Sequence, residues 1–283
     1  MREVKEEIGL NISLIPFFRH DEYWWFVKNK EKVKKQNIFF LSKLEDEKQQ
    51  IRISFEHSSY KWLRFDEALK EIKYKTYIDL LQVANDYINC INKMNELNNK
   101  YKDLPKSIKD WNLSRNFVPG EGPLNAEIML LGQAPGKNED EHRRPFIGMA
   151  GKLLDETLKK NKIGRNKVYI TSIVQFFPPL NRAPTEEEIN YCMPYLKEQI
   201  RIIKPKIIVL LGNIASKSIA NTANVFKNHG NVIKSDEYKC KLFITIHPAA
   251  AVRIKKNISI FEEDFKKLKD VIKEIKNEET NKE

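Results

Sequence analysis

EIMLLGQAPG, residues 127–136, is an apolar run of strand length that stops in a Gly-Gln-Ala-Pro-Gly turn. A strand with one wet face would alternate apolar and polar residues; an unbroken run marks a strand covered on both faces, as in a parallel sheet. Three similar runs follow: KVYITSIV at 167–174, KIIVLLG at 206–212 and KLFITI at 241–246. Between and after them lie stretches of helical spacing: AGKLLDETLKKN, TEEEINYCMPYLKEQIRII, NIASKSIA and SIFEEDFKKLKDVIKEI. Thr185 with Glu188 three residues on reads as the capping box of the second. Four strand-to-helix alternations predict a three-layer α/β/α fold around a central four-stranded parallel sheet.

Such sheets bind ligands beyond the carboxyl ends of their strands. That rule selects GQAPG at 132–136, Ser172 with FFPPLNR behind it, the Gly212 and Asn213 pair, and His247 with Pro248. Gly132 and Gly136 around Pro135 make a tight loop whose backbone N–H groups are offered to an anion or a base edge. A histidine at a strand end, fixed by a following proline, is a candidate for proton or hydrogen-bond chemistry.

The chain has 283 residues and a net charge of +11 from 50 Lys+Arg and 39 Asp+Glu. With 41% apolar residues it holds enough to bury a core, which excludes wholesale disorder. Mean hydropathy is −0.56, and no apolar run approaches the roughly 20 residues of a spanning helix. The opening MREVKEEIGL has no apolar stretch of the signal-peptide kind. The three cysteines, Cys90, Cys192 and Cys240, form neither a CxxC pair nor a disulfide framework. The expected setting is the reducing cytoplasm, with no membrane association. Charge is concentrated: residues 201–256 carry 11 Lys/Arg against Asp236 and Glu237, which suits a polyanionic partner.

The blocks LLGQAPGKNEDEHRRPFIGMAGKLLD, VYITSIVQFFPPLNRAPTEEE, INYCMPYLKEQI, IIVLLG and ITIHPAAAVR resemble, in order and spacing, the uracil-DNA glycosylase superfamily, most closely its iron-sulfur branch, family four. The resemblance spans residues 112–275 and implies base flipping and hydrolysis of the N-glycosidic bond in base excision repair. It implies that Phe146 stacks on the flipped uracil and that His247 donates to the leaving oxygen. Gln133, Ala134, Pro135, Gly136 and Ser172 would complete the base pocket. DNA contacts would fall to Arg182, Arg253, Lys255 and Lys256. The expected substrate is single-stranded or mismatched uracil-containing DNA, because Ala250 and Ala251 are small and leave only Val252 as a wedge to hold a duplex open. A monomer is expected.

Three departures from the family pattern carry their own expectations. Gln133 stands where the family has the glutamate of GEAPG and cannot accept a proton at neutral pH, so Asp140 is the reserve candidate for positioning water. Ser172 stands where the family has the asparagine of YITN, which implies looser discrimination between uracil and other bases. Of the cluster cysteines only Cys192 lies at a family position, Phe176 occupying another. Four thiolates are needed. No iron-sulfur cluster is therefore expected, and Trp111, Phe176 and Phe177 are candidates to fill its space.

REVKEEIGL at the start resembles the second half of the Nudix box, and residues up to 97 resemble the end of diadenosine-tetraphosphate hydrolase-type domains. Glu3, Glu6 and Glu7 would be the vestigial Mg²⁺ carboxylates, with Mg²⁺ expected only if that segment were functional. The expected organisation is a truncated Nudix-like segment at 1–97, a linker at 98–111, the glycosylase-like domain at 112–275 and a polar tail at 276–283. Two other functions compete: a catalytically impaired binder of damaged or single-stranded DNA, and a Nudix nucleotide pyrophosphohydrolase.

Overall fold

The computed structural model describes residues 2–28, 31–103 and 112–280. The chain divides into two compact units, Met1–Asn89 and Cys90–Glu283. In the first, α1 (Arg2–Ile8), β1 (Ile12–Leu14), β2 (His20–Lys28), β3 (Glu31–Phe39), β4 (Ser42–Leu44) and α2 (Phe65–Glu71) precede the long helix α3 (Lys75–Tyr101). Its strands make two antiparallel pairs, β1 with β4 and β2 with β3. Leu10, Phe18 and Tyr87 are buried, whereas Phe55, Trp62 and Tyr74 lie open to solvent. The site-bearing core belongs to the second unit.

There β5 (Ile128–Gly132), α4 (Lys137–His142), α5 (Met149–Lys160), β6 (Val168–Ser172), α6 (Glu186–Ile203), β7 (Ile207–Leu211), α7 (Asn213–Ala220), α8 (Val225–Asn228), β8 (Val232–Ser235), β9 (Cys240–Thr245), α9 (Pro248–Arg253) and α10 (Lys256–Thr280) follow in order. The sheet order is β6-β5-β7-β9-β8. β5, β6, β7 and β9 run parallel where the apolar runs predicted them, and every residue of the first three is buried. The predicted count of four strands is corrected to five. β8 pairs antiparallel with β9 at the sheet edge, its residues alternating between exposed and half-buried. A four-residue strand, VIKS, with one wet face lacks the apolar run that marks its neighbours.

Thr185 caps α6 as its sequence predicts. Its hydroxyl accepts from Glu188 N at 3.2 Å while Thr185 N donates to the Glu188 carboxylate at 2.8 Å. The chain leaves β5 to one side for β6 and then crosses to the other for β7. That reversal opens a crevice at the carboxyl ends of the strands. Residues 98–101, expected in a linker, are the last turn of α3, and residues 276–280 of the expected tail continue α10. Met94 and Leu97 of α3 are buried in the second unit's core, so the expected boundary at 97 falls inside a packed helix. Trp111 lies outside the described residues.

Candidate active site

A cavity of about 720 Å³ opens at that reversal, lined by loops from all four parallel strands. Gln133, Ala134, Pro135, Gly136, Phe146, Ser172, His247 and Arg253 all contribute to its wall. Phe146 and His247 stand side by side in its wall, ring centroids 5.7 Å apart and planes tilted by 32°. Gly132 makes room for this arrangement: a β-carbon there would stand 2.6 Å from the Phe146 ring. Gly212 does the same for the histidine. Its φ of +95° suits glycine, and a β-carbon would come within 2.9 Å of the His247 side chain.

The chemistry of His247 follows from its surroundings. Burial, with the positive charge of Arg253 adding to it, pushes the imidazole down to about 4, so it is neutral near pH 7. Ala249 N donates to Nδ1 at 3.1 Å in the first turn of α9, which fixes Nδ1 as the acceptor. The ring proton is thereby assigned to Nε2. A neutral donor thus stands beside an aromatic ring in the same cavity wall. Ser172 is buried at the end of β6, and Gln133 O accepts from Val174 N at 3.0 Å, tying the first loop to the second.

Two residues that the sequence reading passed over hold this wall in shape. Glu139 of α4 accepts from Gly136 N at 3.1 Å through one oxygen, and from Ile147 N at 3.0 Å and Gly148 N at 2.9 Å through the other. One carboxylate thus clamps the GQAPG loop to the segment after Phe146. Arg165 donates to Pro145 O at 2.8 Å and Phe146 O at 3.2 Å while pairing with Asp155 at 2.7 Å. Phe146 itself has φ +51°, a conformation aromatic residues rarely adopt without such support. The signal for Glu139 was its place three residues after Gly136, the capping-box spacing.

The sequence model of the uracil DNA glycosylase superfamily matches residues 119–273, the stretch that builds this cavity. The chain belongs to that superfamily. It is 46% identical over 174 residues to the type-4 uracil-DNA glycosylase of Sulfurisphaera tokodaii, covering 59% of this chain and 79% of the relative. Against the type-4 uracil-DNA glycosylase of Saccharolobus solfataricus the identity is 40% over 172 residues, covering 58% and 80%. The type-4 enzyme of Pyrobaculum aerophilum is 41% identical over 146 residues, covering 49% and 74%.

Within this glycosylase domain two expected site residues fall elsewhere. Asp140 is absent from the cavity wall, and Asn116 Nδ2 donates to its Oδ2 at 3.2 Å. Its Oδ1 is buried without a hydrogen-bond partner, and of the two adjacent carboxylates Glu139 is the one that lines the cavity. Arg182, expected on DNA, holds both oxygens of Glu188, at 2.6 and 2.9 Å, and Ala183 O at 3.0 Å. Glu188 is fully buried. Burial alone would raise its carboxyl, but Arg182 and the Thr185 N–H outweigh that and hold it below the usual range. Arg253, Lys255 and Lys256 are exposed around the start of α10, next in chain to the HPA turn.

The iron-sulfur branch of the superfamily implies a cluster, and the residues present do not fit one. Of three cysteines in the sequence, Cys192 is buried and its thiol is pushed up to about 12 by burial; Cys240 lies on β9 and is also pushed up to about 12. Phe176, which the resemblance leads one to expect at a cluster-cysteine position, is buried with its ring 5.6 Å from Phe117, which lies 5.6 Å from Tyr195. Phe177 is half-buried. Among the described residues no group of three or more His, Cys, Asp or Glu side chains is placed to hold a metal. This includes Glu6 and Glu7, exposed on α1, Glu6 lying 3.4 Å from Arg2 and Glu7 3.8 Å from His57. The Glu3 side chain lies outside the described residues. No described helix is long and apolar enough to cross a membrane.

Proposed function

We propose that the domain excises uracil from DNA by flipping the base into the cavity and hydrolysing its N-glycosidic bond. The observation that carries this reading is the pairing of Phe146 with a neutral His247 whose Nε2 bears the proton. The flipped base stacks on the Phe146 ring. As the bond from the sugar C1′ to the base N1 breaks, its electron pair passes to the uracil ring, and His247 Nε2–H donates to the oxygen where that charge gathers. Water adds to C1′ and releases a proton to solvent, leaving an abasic site and a uracil anion that takes up a proton from solvent as it departs. Burial makes the donor more effective, because water does not compete for the developing charge.

Gln133 orients through hydrogen bonds and cannot take the water's proton. Turnover is accordingly slow, with leaving-group stabilisation carrying most of the rate. Ser172, whose hydroxyl can donate or accept, tolerates bases other than uracil. Uracil in single strands or mismatches is cut faster than paired uracil, because less unstacking and unpairing opposes the flip. Arg253, Lys255 and Lys256 bind backbone phosphates. The domain works as a monomer without an iron-sulfur cluster, and the Nudix-like first unit contributes no metal-dependent hydrolysis.

A labelled oligonucleotide containing one uracil, treated with alkali after incubation, tests the reading. Strand breaks at uracil that are lost in His247→Ala support it. Binding without breaks in either variant would assign the domain to the competing class, a damaged-DNA binder, which the amide at Gln133 favours.

A further inference from the structure

We propose that Leu180 is the wedge that enters the base stack when the uracil leaves it. This inference rests on the excision reading above but draws on a separate part of the molecule. A flipping protein must fill the gap that the base vacates, and apolar side chains that stand clear of the surface do so. Leu180 is 99% exposed. Its backbone is left-handed, with φ 54° and ψ 21°, and Asn181 follows at φ +57°. A leucine held both in water and in a disfavoured conformation gains nothing for the fold, which points to a use outside it.

The loop is stiff and correctly placed. Pro178 and Pro179 fix the approach, and Asn181 N and Arg182 N close the turn onto Pro178 O and Pro179 O at 3.1 and 3.2 Å. On the far side Arg182 is anchored on buried Glu188. Asn181 and Ala183, flanking that turn, line the cavity, so Leu180 stands on its rim. Val252, the wedge expected from sequence, is half-buried and forms part of the cavity wall. Met149, 73% exposed, and Phe226, 48% exposed, are further apolar side chains lining the cavity, but Met149 sits in regular helical backbone at the start of α5 and Phe226 is about half covered.

The test compares the full-length protein with Leu180→Ala, Leu180→Met and Met149→Ala. Each is measured on uracil in a duplex and in a single strand, and in a binding assay with 2-aminopurine beside the uracil. For Leu180→Ala we expect duplex excision to fall by about tenfold or more, corresponding to about 1.4 kcal/mol. Single-strand excision should fall far less. The 2-aminopurine fluorescence rise on duplex binding should be lost, and Leu180→Met should restore much of both. Equal losses on the two substrates, an unchanged duplex rate, or a duplex-selective defect in Met149→Ala instead would overturn the proposal. Should the wild-type protein cut neither substrate, the excision reading fails by itself. The fluorescence comparison then decides the wedge alone: a rise retained in Leu180→Ala, or none in the wild type, would overturn it.

Discussion

The proton on His247 is positioned by a neighbour two residues away. Because Ala249 N already points at Nδ1, protonating that nitrogen would set two donors against each other, which reinforces the depression to about 4. An NMR titration should give His247 an apparent pKa near 4, well below the usual 6.5, with the Nε2–H tautomer throughout the neutral range. The folded state binds this proton less readily than the unfolded chain. Its contribution to stability is therefore complete above about 6.5 and is lost as the pH falls through about 4. A titration midpoint at or above 6.5 would contradict this account. At Gln133 the missing function is a base, and general-base catalysis is worth roughly 10²- to 10⁴-fold. Gln133→Glu should raise single-turnover excision by at least about tenfold. An unchanged rate would place water activation elsewhere on the cavity wall.

At the scale of an element, the segment from 178 to α6 is held by one ion pair with unequal exposure. Glu188 is fully buried, while the Arg182 side chain is 35% exposed. Removing the arginine strands a buried carboxylate, which costs about 3–5 kcal/mol; removing the charge of the glutamate leaves a guanidinium that can still reach water. Urea unfolding should show Arg182→Met to be markedly less stable than Glu188→Gln. Equal losses would mean that the pair is not the anchor. In the neighbouring core Phe117 contacts the rings of Phe176 and Tyr195, and Cys192 is buried in the same core, an arrangement on which the proposal of a domain without a cluster rests. Iron and sulfide assays on the purified protein should return substoichiometric amounts, and Cys192→Ala should leave excision within about twofold of wild type, as expected when a side chain only packs. Stoichiometric iron would require ligands other than thiolates.

For the whole molecule, the question is where the glycosylase domain begins. A cut at residue 98 looks acceptable in sequence, because INKMNELNNKYK reads as a polar helix end. The structure corrects this: Met94 and Leu97 are 5% and 8% exposed in the core of the second unit, and Asn98 Oδ1 accepts from the buried Tyr195 hydroxyl at 2.7 Å. Deleting large buried side chains costs about 2–5 kcal/mol each. A fragment of residues 75–283, which keeps α3 whole, should excise uracil as the full chain does. One starting at residue 98 should melt well below it. Equal melting temperatures would show that α3 adds nothing to the domain.

The four parallel strands, the helices between them and the GQAPG and HPA turns were legible in sequence, since apolar periodicity, capping and turn chemistry act between residues close in the chain. The resemblance to known glycosylases gave the candidate residues, and most of those line one cavity. The edge strand was not legible, because its single wet face leaves too weak a pattern in four residues. Only tertiary structure decided what long-range contacts decide. It turned Glu139 rather than Asp140 to the cavity, drew Arg182 onto Glu188, fixed the proton of His247 and left Leu180 standing in solvent. Which of two adjacent carboxylates faces a cavity, or whether an arginine has a buried partner, depends on segments distant in sequence, and local pattern holds no record of them.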